Sequence, residues 1–339
     1  MNRARLLSVL AILAALSVVL AACGGGSDKS GESPQTVLGE ATLQGIESGN
    51  IDLSLGVKAQ GPEGGNLNVS LSGPFQGEGP GSLPQLDMNA TAKGNFKGKN
   101  IDFDGGLVLL PNTAFVNYQG TEYEVDPTTF SFVESALAQA QREGGAETGA
   151  DGVAACQEEF GTLKVADFLE NGTNEGSADV GGTSTTKVSG DLDVSGAIDS
   201  VLEVVESQAC RTQLAAAGPL PSKSEVDKAK SQVASAVKSA HVDVYVGDDD
   251  IVRRISAQLK LEPQNGGGGP KSVEIELDLK LTEVNEEQTI SAPASAKPLS
   301  KLFLKLGINP IELLGLLQGE EGGESLGELF EGLAESQSQ

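Results

Sequence analysis

The sequence predicts an α+β fold resting on a large antiparallel sheet, and three observations predict it. Val273 to Leu281 carries an aliphatic residue at every odd position and a charged one at every even position, so one face is dry and the other wet. The same alternation recurs through both halves of the chain, broken at Gly-, Pro- and Asp-rich turns. Helical periodicity is confined to stretches between and after these strands.

In chain order, Ile51, Leu53, Leu55 and Val57 alternate, then Leu67, Val69 and Leu71, with the turn residues Gly61 to Gly65 between them. Met88, Ala90 and Ala92 come next, then Ile101 and Phe103. Thr113 to Tyr118 and Glu122 to Val125 read as a hairpin around Gln119-Gly120. After Pro127, placed for the first turn of a helix, Phe130, Val133, Leu137 and Ala140 share a face. Leu163 to Leu169 reads as a short helix that Gly172 ends, and Lys187 to Val194 as a strand. Ile198, Val201, Leu202, Val205, Ala209 and Leu214 form the stripe of a long helix reaching Gly218-Pro219. Ser222 with Glu225 matches a capping box that opens a further helix to about Ser239. His241 to Val246 and Ile251 to Leu261 flank Gly247 to Asp250. With Val273 to Leu281 they predict a three-stranded antiparallel meander with a solvated outer face. Residues 298–317 read as two short amphipathic helices split by Gly307 and Pro310. They serve as an extra layer on the sheet or as a lid or partner-binding peptide, and a Gly- and Glu-rich tail completes the chain.

The first residues have the three zones of an export signal: Arg3 and Arg5, an apolar run from Leu6 to Leu20, and small residues before Cys23. Leu20-Ala21-Ala22-Cys23 resembles the lipobox of bacterial lipoproteins. That implies cleavage before Cys23, a diacylglycerol on its sulfur, and attachment of the domain to the extracytoplasmic face of the cell membrane. An ordinary secretory cleavage site or an uncleaved membrane helix are the alternatives. The apolar run falls short of the roughly 20 residues a span needs. Two acyl chains hold a soluble domain stably where one holds it only marginally. The expected organisation is a signal peptide over 1–22, a flexible tether over 23–34, a folded domain over 35–297 and a C-terminal extension over 298–339.

The chain has 23 Lys+Arg against 48 Asp+Glu, and loss of the signal peptide removes two more Arg. Such a surface repels nucleic acid, so no nucleic-acid partner is expected. With Cys23 lipidated, Cys156 and Cys210 remain as an even pair in an oxidising compartment. A bridge between them would stabilise by about 4 kcal/mol on the chain-entropy account; two free thiols are the alternative.

Catalytic and metal motifs are weak. Gly323-Glu-Ser-Leu-Gly327 matches G-x-S-x-G, but no buried strand precedes it and the single histidine, His241, lies upstream. One histidine leaves hydrolytic triads and His-based zinc sites without their parts. Asp248 to Asp250 lacks the spacing of a calcium loop and reads as a solvated turn. No enzyme activity, cofactor or metal is expected.

Three passages carry a resemblance: Ala114 to Asp126, a strand, Gly turn and aromatic strand leading to a helix; Phe168 to Gly172 followed by Thr185 to Gly190; and Val242 to Arg254, a strand pair. Together they resemble the LolA-like half-barrel of mycobacterial lipoproteins of the LppX and LprG group, over roughly residues 35 to 290. The chain has no tryptophan and carries an acidic extension that the group lacks. The resemblance implies a curved antiparallel half-barrel wrapped over helices and an apolar cavity for the acyl chains of a lipid or lipoglycan. Ile255, Leu259, Val273, Ile275, Leu277 and Leu279 would line that cavity or, equally, a filled core. A solid-core surface or envelope-structural lipoprotein, using its acidic extension as a contact, is the competing expectation.

Overall fold

The computed structural model describes residues 29, 31–61, 64–78, 83–96, 98–131, 165–207, 210, 230–233, 235–263 and 270–306. Two antiparallel meanders make one open, curved sheet of twelve strands. The first contains β1 (Ser48–Gln60), β2 (Gly65–Gln76), β3 (Gln85–Phe96), β4 (Lys99–Leu110), β5 (Thr113–Tyr118) and β6 (Thr121–Glu124). The second contains β7 (Leu169–Val180), β8 (Thr183–Leu192), β9 (Val237–Gly247), β10 (Val252–Leu261) and β11 (Ser272–Thr282). They join where β1 pairs with β11, from Asn50 opposite Thr282 to Gln60 opposite Ser272. A two-residue β12 (Lys297–Pro298) pairs in parallel with β6, so the sheet is mixed at that edge rather than wholly antiparallel. The other edge is β7.

Glycines let the first meander bend sharply. Gly73 has φ +148°, and a Cβ there would collide with the Asp87 carbonyl of the next strand; one at Gly94 would collide with the Asn66 carbonyl. Backbones that approach this closely tolerate only hydrogen at the α-carbon, and such positions coil a sheet.

Among the described residues, three helices are bounded at both ends. α1 (Pro34–Glu40) is capped by Ser33, whose Oγ accepts from the Thr36 N–H at 3.1 Å, with Pro34 in the first turn. α2 (Val194–Glu206) is capped by Asp193 through the Gly196 N–H at 3.0 Å and buries Ile198 and Val204. α3 (Leu299–Leu306) buries Leu302. Residues 127–131 are also helical, and the Asp126 carboxylate accepts from the Thr129 N–H at 3.0 Å, as the Pro127 start predicts.

Several expectations are corrected. The described part of the helix expected over Leu163 to Leu169 is a single 3₁₀ turn, Val165–Phe168, and Leu169 instead opens β7. That strand has few apolar residues and forms because β8 offers it a ladder. The helix expected to reach Ser239 stops earlier, because Val237 to Ser239 already pair with β10. Asp250 is not solvated: it is 1% exposed and ion-paired with Lys29, itself 1% exposed. Lys29 lies within the stretch read as tether, and its carbonyl accepts from Asn174 Nδ2 of β7 at 2.8 Å. The Ser222–Glu225 capping box, the Gly323 motif and the second C-terminal helix lie outside the described residues, as do Cys23 and Cys156.

Candidate functional site

The strand registers turn the alternation into continuous lines of side chains across the sheet. One line runs Val188, Val244, Ile255, Leu279, Leu53, Leu71, Ala90, Gly105, Tyr118, each opposite the next. A second runs Gly190, Val242, Ala257, Leu277, Leu55, Val69, Ala92, Phe103. A third runs Ala240, Leu259, Ile275, Val57, Leu67, Gly94, Ile101. The pairings keep the two-residue period in step along these lines, with bulges only at the ends of the β9–β10 ladder (Val252/Arg254 and Lys260/Leu261), so a single apolar face spans both meanders.

All six expected lining residues sit on this face. Val273 and Ile275 flank Leu261 and Leu259, while Leu277 and Leu279 stand between β1 and β10. Only Ile275 is buried; Ile255, Leu259, Val273, Leu277 and Leu279 are half-buried. The sequence points to β10 and β11 alone. The structure adds Leu53, Leu55 and Val57 of β1, Leu67, Val69 and Leu71 of β2, and Phe103 and Leu107 of β4 to the same surface. Their alternation is visible in the sequence; that β1 lies beside β11 is not.

The two ends of the face are covered. At the β8–β9 end, Val37, Leu38 and Ala41 of the α1 segment pack with Val188, Val242, Val244, Val246 and Val252 into a buried cluster. The N-terminal segment is held there by the Lys29–Asp250 ion pair, with Glu40 Oε2 at 3.6 Å from Lys29 Nζ, and by a bridge between Thr42 and Ile251. At the β5–β6 end, Leu302 of α3 is buried with Tyr118 and Tyr123, and Lys305 Nζ stands 5.0 Å over the Tyr118 ring. Between these ends the face is thinner in cover. The inward residues of β1, β2 and β3 are half-buried, and Phe103 and Leu107 are 38% and 40% exposed.

Over β8 to β11 the opposite face is wet and charged, whereas on β4 and β5 it buries Val108 and Phe115. Arg254 Nε donates to Asp278 Oδ1 at 3.0 Å, and that carboxylate holds the guanidinium above its ordinary pKa. Tyr245 lies between Arg254 and Lys187, 5.4 and 5.8 Å from the ring centre. Burial pushes the Asp243 carboxyl up, but hydrogen bonds from Ser189 and Lys187 outweigh it and leave the group below its usual value. His241 stands on this face, half-exposed, 3.4 Å from Asp191 and 3.5 Å from Asp243. A shallow depression of about 410 Å³ on the β2–β4 part of the sheet is lined by Asn66, Lys93, Asn95, Asn100 and Asp102. These contacts are those of cross-strand ion pairs, each of modest energy.

The two faces set the chemistry open to the site. The dry one offers methyl and methylene groups in rows about 4.8 Å apart, suited to a flexible hydrocarbon and to no polar ligand. Cys210 is wholly buried. No described helix is long and apolar enough to cross a membrane.

No family model matches this chain, and no curated protein matches it. Among solved structures the chain is similar to LprF from Mycobacterium bovis, at 14% identity over 80% of this chain and 100% of that one, with a TM-score of 0.35. It is also similar to the Mycobacterium tuberculosis lipoprotein LppX, at 11% identity over 83% and 99% of the two chains, with a TM-score of 0.29. A DUF1329 family protein from Desulfovibrio piger is similar at 9% identity, covering 79% and 96%, with a TM-score of 0.18. LppX is one of the group the sequence motifs resemble.

Proposed function

We propose that this chain is a lipid-anchored extracytoplasmic lipoprotein that holds the acyl chains of a lipid or lipoglycan against the apolar face of its sheet, without covalent chemistry. The observation that carries the reading is the half-buried stretch of that face over β10, β11 and β1 to β4, where aliphatic side chains line up across strands under incomplete cover. A monomer rarely leaves so long an apolar strip without a ligand or partner. Each methylene withdrawn from water onto such a strip contributes about 0.8 kcal/mol. An acyl chain is long enough for that sum to exceed the cost of ordering it.

Anchoring rests on the lipobox. A diacylglycerol on Cys23 would hold the domain where membrane lipid is within reach, and the pairing of Cys156 with Cys210 would suit the same oxidising compartment. Replacing Cys23 by Ala should move the protein from the membrane fraction to the soluble one.

Titration of the purified chain with cis-parinaric acid, a fluorescent fatty acid, tests the carrier claim. Saturable uptake is expected, with a large loss in Leu55→Glu and Leu277→Glu, which place a charge beside the hydrocarbon. Absence of uptake by a folded chain, or uptake indifferent to both substitutions, would contradict it.

A further inference from the structure

We infer that, on the lipid-anchored reading above, the end of the sheet carrying the β9–β10 turn faces the membrane at close range, because a buried clamp shortens the leash between Cys23 and the domain. The clamp is Lys29. Its ammonium is ion-paired with Asp250 in the β9–β10 turn, each residue being 1% exposed. The segment that follows is held as well. Asn174 Nδ2 of β7 donates to the carbonyls of Lys29 and Glu32 at 2.8 and 2.9 Å. Farther along, the Thr42 N–H donates to the Asp250 carbonyl at 2.8 Å, and the Thr42 carbonyl accepts from the Val252 N–H at 2.9 Å. Between these points Val37 and Leu38 are wholly excluded from water. Freeing Lys29 would leave the Asp250 carboxylate unpaired in a dry site, so the chain stays attached to the sheet from Lys29 onward.

A domain that started at residue 35 could stand off from Cys23 by about 43 Å of extended chain. With Lys29 clamped, only the steps from Cys23 to Lys29 remain, and these span at most about 22 Å in any conformation. A twelve-residue strand such as β3 runs about 40 Å, so the leash is about half as long as the body it holds. It therefore selects which end of the sheet lies near the bilayer. The β7–β8 and β9–β10 turns share the clamped end, since Thr185 pairs with Gly247. The β3–β4 turn lies at the opposite end, because β10, β11, β1, β2 and β3 alternate in direction. β10, where the half-buried apolar stretch starts, leaves directly from the clamped turn. On the lipid reading, the start of that stretch is on the membrane side.

The test uses the full chain, lipidated in a bacterial host and reconstituted into phosphatidylcholine vesicles that hold a rhodamine-headgroup lipid. p-Azidophenylalanine replaces Asp248 of the β9–β10 turn or Lys99 of the β3–β4 turn, both exposed, and carries a donor dye. Energy transfer to the vesicle is expected to be at least two-fold greater from position 248. Lys29→Met with Asp250→Asn lengthens the leash without stranding a charge, and should lower the transfer from position 248 while the chain stays on the vesicle. Equal transfer from the two positions, or more from position 99, would overturn the inference. Unchanged transfer in the doubly substituted chain would overturn the clamp as its cause. Mass spectrometry of the same chains reads the anchor separately. Chains that carry diacylglycerol at Cys23 and show equal transfer leave the anchor standing and sink the orientation. Chains without it sink the anchored reading, and this inference with it.

Discussion

The apolar face of the sheet is finished in two ways. Over β8 and β9 it meets α1, and Val188, Val244 and Val246 are fully excluded from water. Over β1 to β4 the same inward alternation leaves Leu53, Leu55, Val69 and Leu71 half-buried and Phe103 and Leu107 exposed. The strands are of one kind; what differs is the chain laid over them. Periodicity decides which side chains share a face, whereas cover decides whether that face becomes core or binding surface. The covered end is also where the chain commits buried charge, Lys29 against Asp250, to hold its cover in place.

Breaking that cover should have the largest effect. Lys29→Met strands the Asp250 carboxylate in a dry site and should cost about 3–5 kcal/mol in denaturant unfolding, with much of the loss restored by adding Asp250→Asn. Next, Val244→Ala opens a hole in a filled cluster and should cost about 2 kcal/mol. Leu277→Ala, on the half-buried stretch, should cost less than half of that while weakening parinaric acid uptake. Equal stability losses at the two positions would erase the distinction between the regions. Phe103→Ser removes an exposed ring and should change stability by no more than about 0.5 kcal/mol, so any change in uptake would report the surface and not the fold.

The smallest effect concerns Asp87, whose carboxyl is pushed above its ordinary value by burial and by the Glu122 carboxylate. A folded-state pKa raised in this way lets the folded chain hold the proton more tightly than the unfolded one. Stability from this group is therefore full below the usual carboxylate range and falls as pH rises through the raised value. Asp87→Asn should stabilise the protein at neutral pH by less than about 1 kcal/mol, with no gain in acid, as read from unfolding midpoints across pH.

Much of the sheet was legible because its strands alternate cleanly. Val273 to Leu281 and Ile51 to Val57 lie in strands where the pattern places them, and Thr113 to Tyr118 matches β5. What escaped was everything decided at long range. Leu169 to Val180 has the composition of a loop, Leu-Glu-Asn-Gly-Thr-Asn-Glu-Gly-Ser-Ala-Asp-Val, and becomes a strand through its partner. Asp250 reads as one more acid in a turn until Lys29, far earlier in the chain, is folded onto it. The six lining residues were readable as one face of two strands, but the breadth of that face needed the β1–β11 junction, which no local pattern encodes.

The most direct measurement is photolabelling of the full chain with a fatty acid carrying a diazirine along its acyl chain, with the modified residues mapped afterwards. Labels concentrated on inward residues of β10, β11 and β1 to β4, such as Leu277, Leu55 and Val69, are the predicted result. Labels absent, or confined to the wet face around Tyr245 and Arg254, would contradict the claim that this stretch of the sheet holds hydrocarbon.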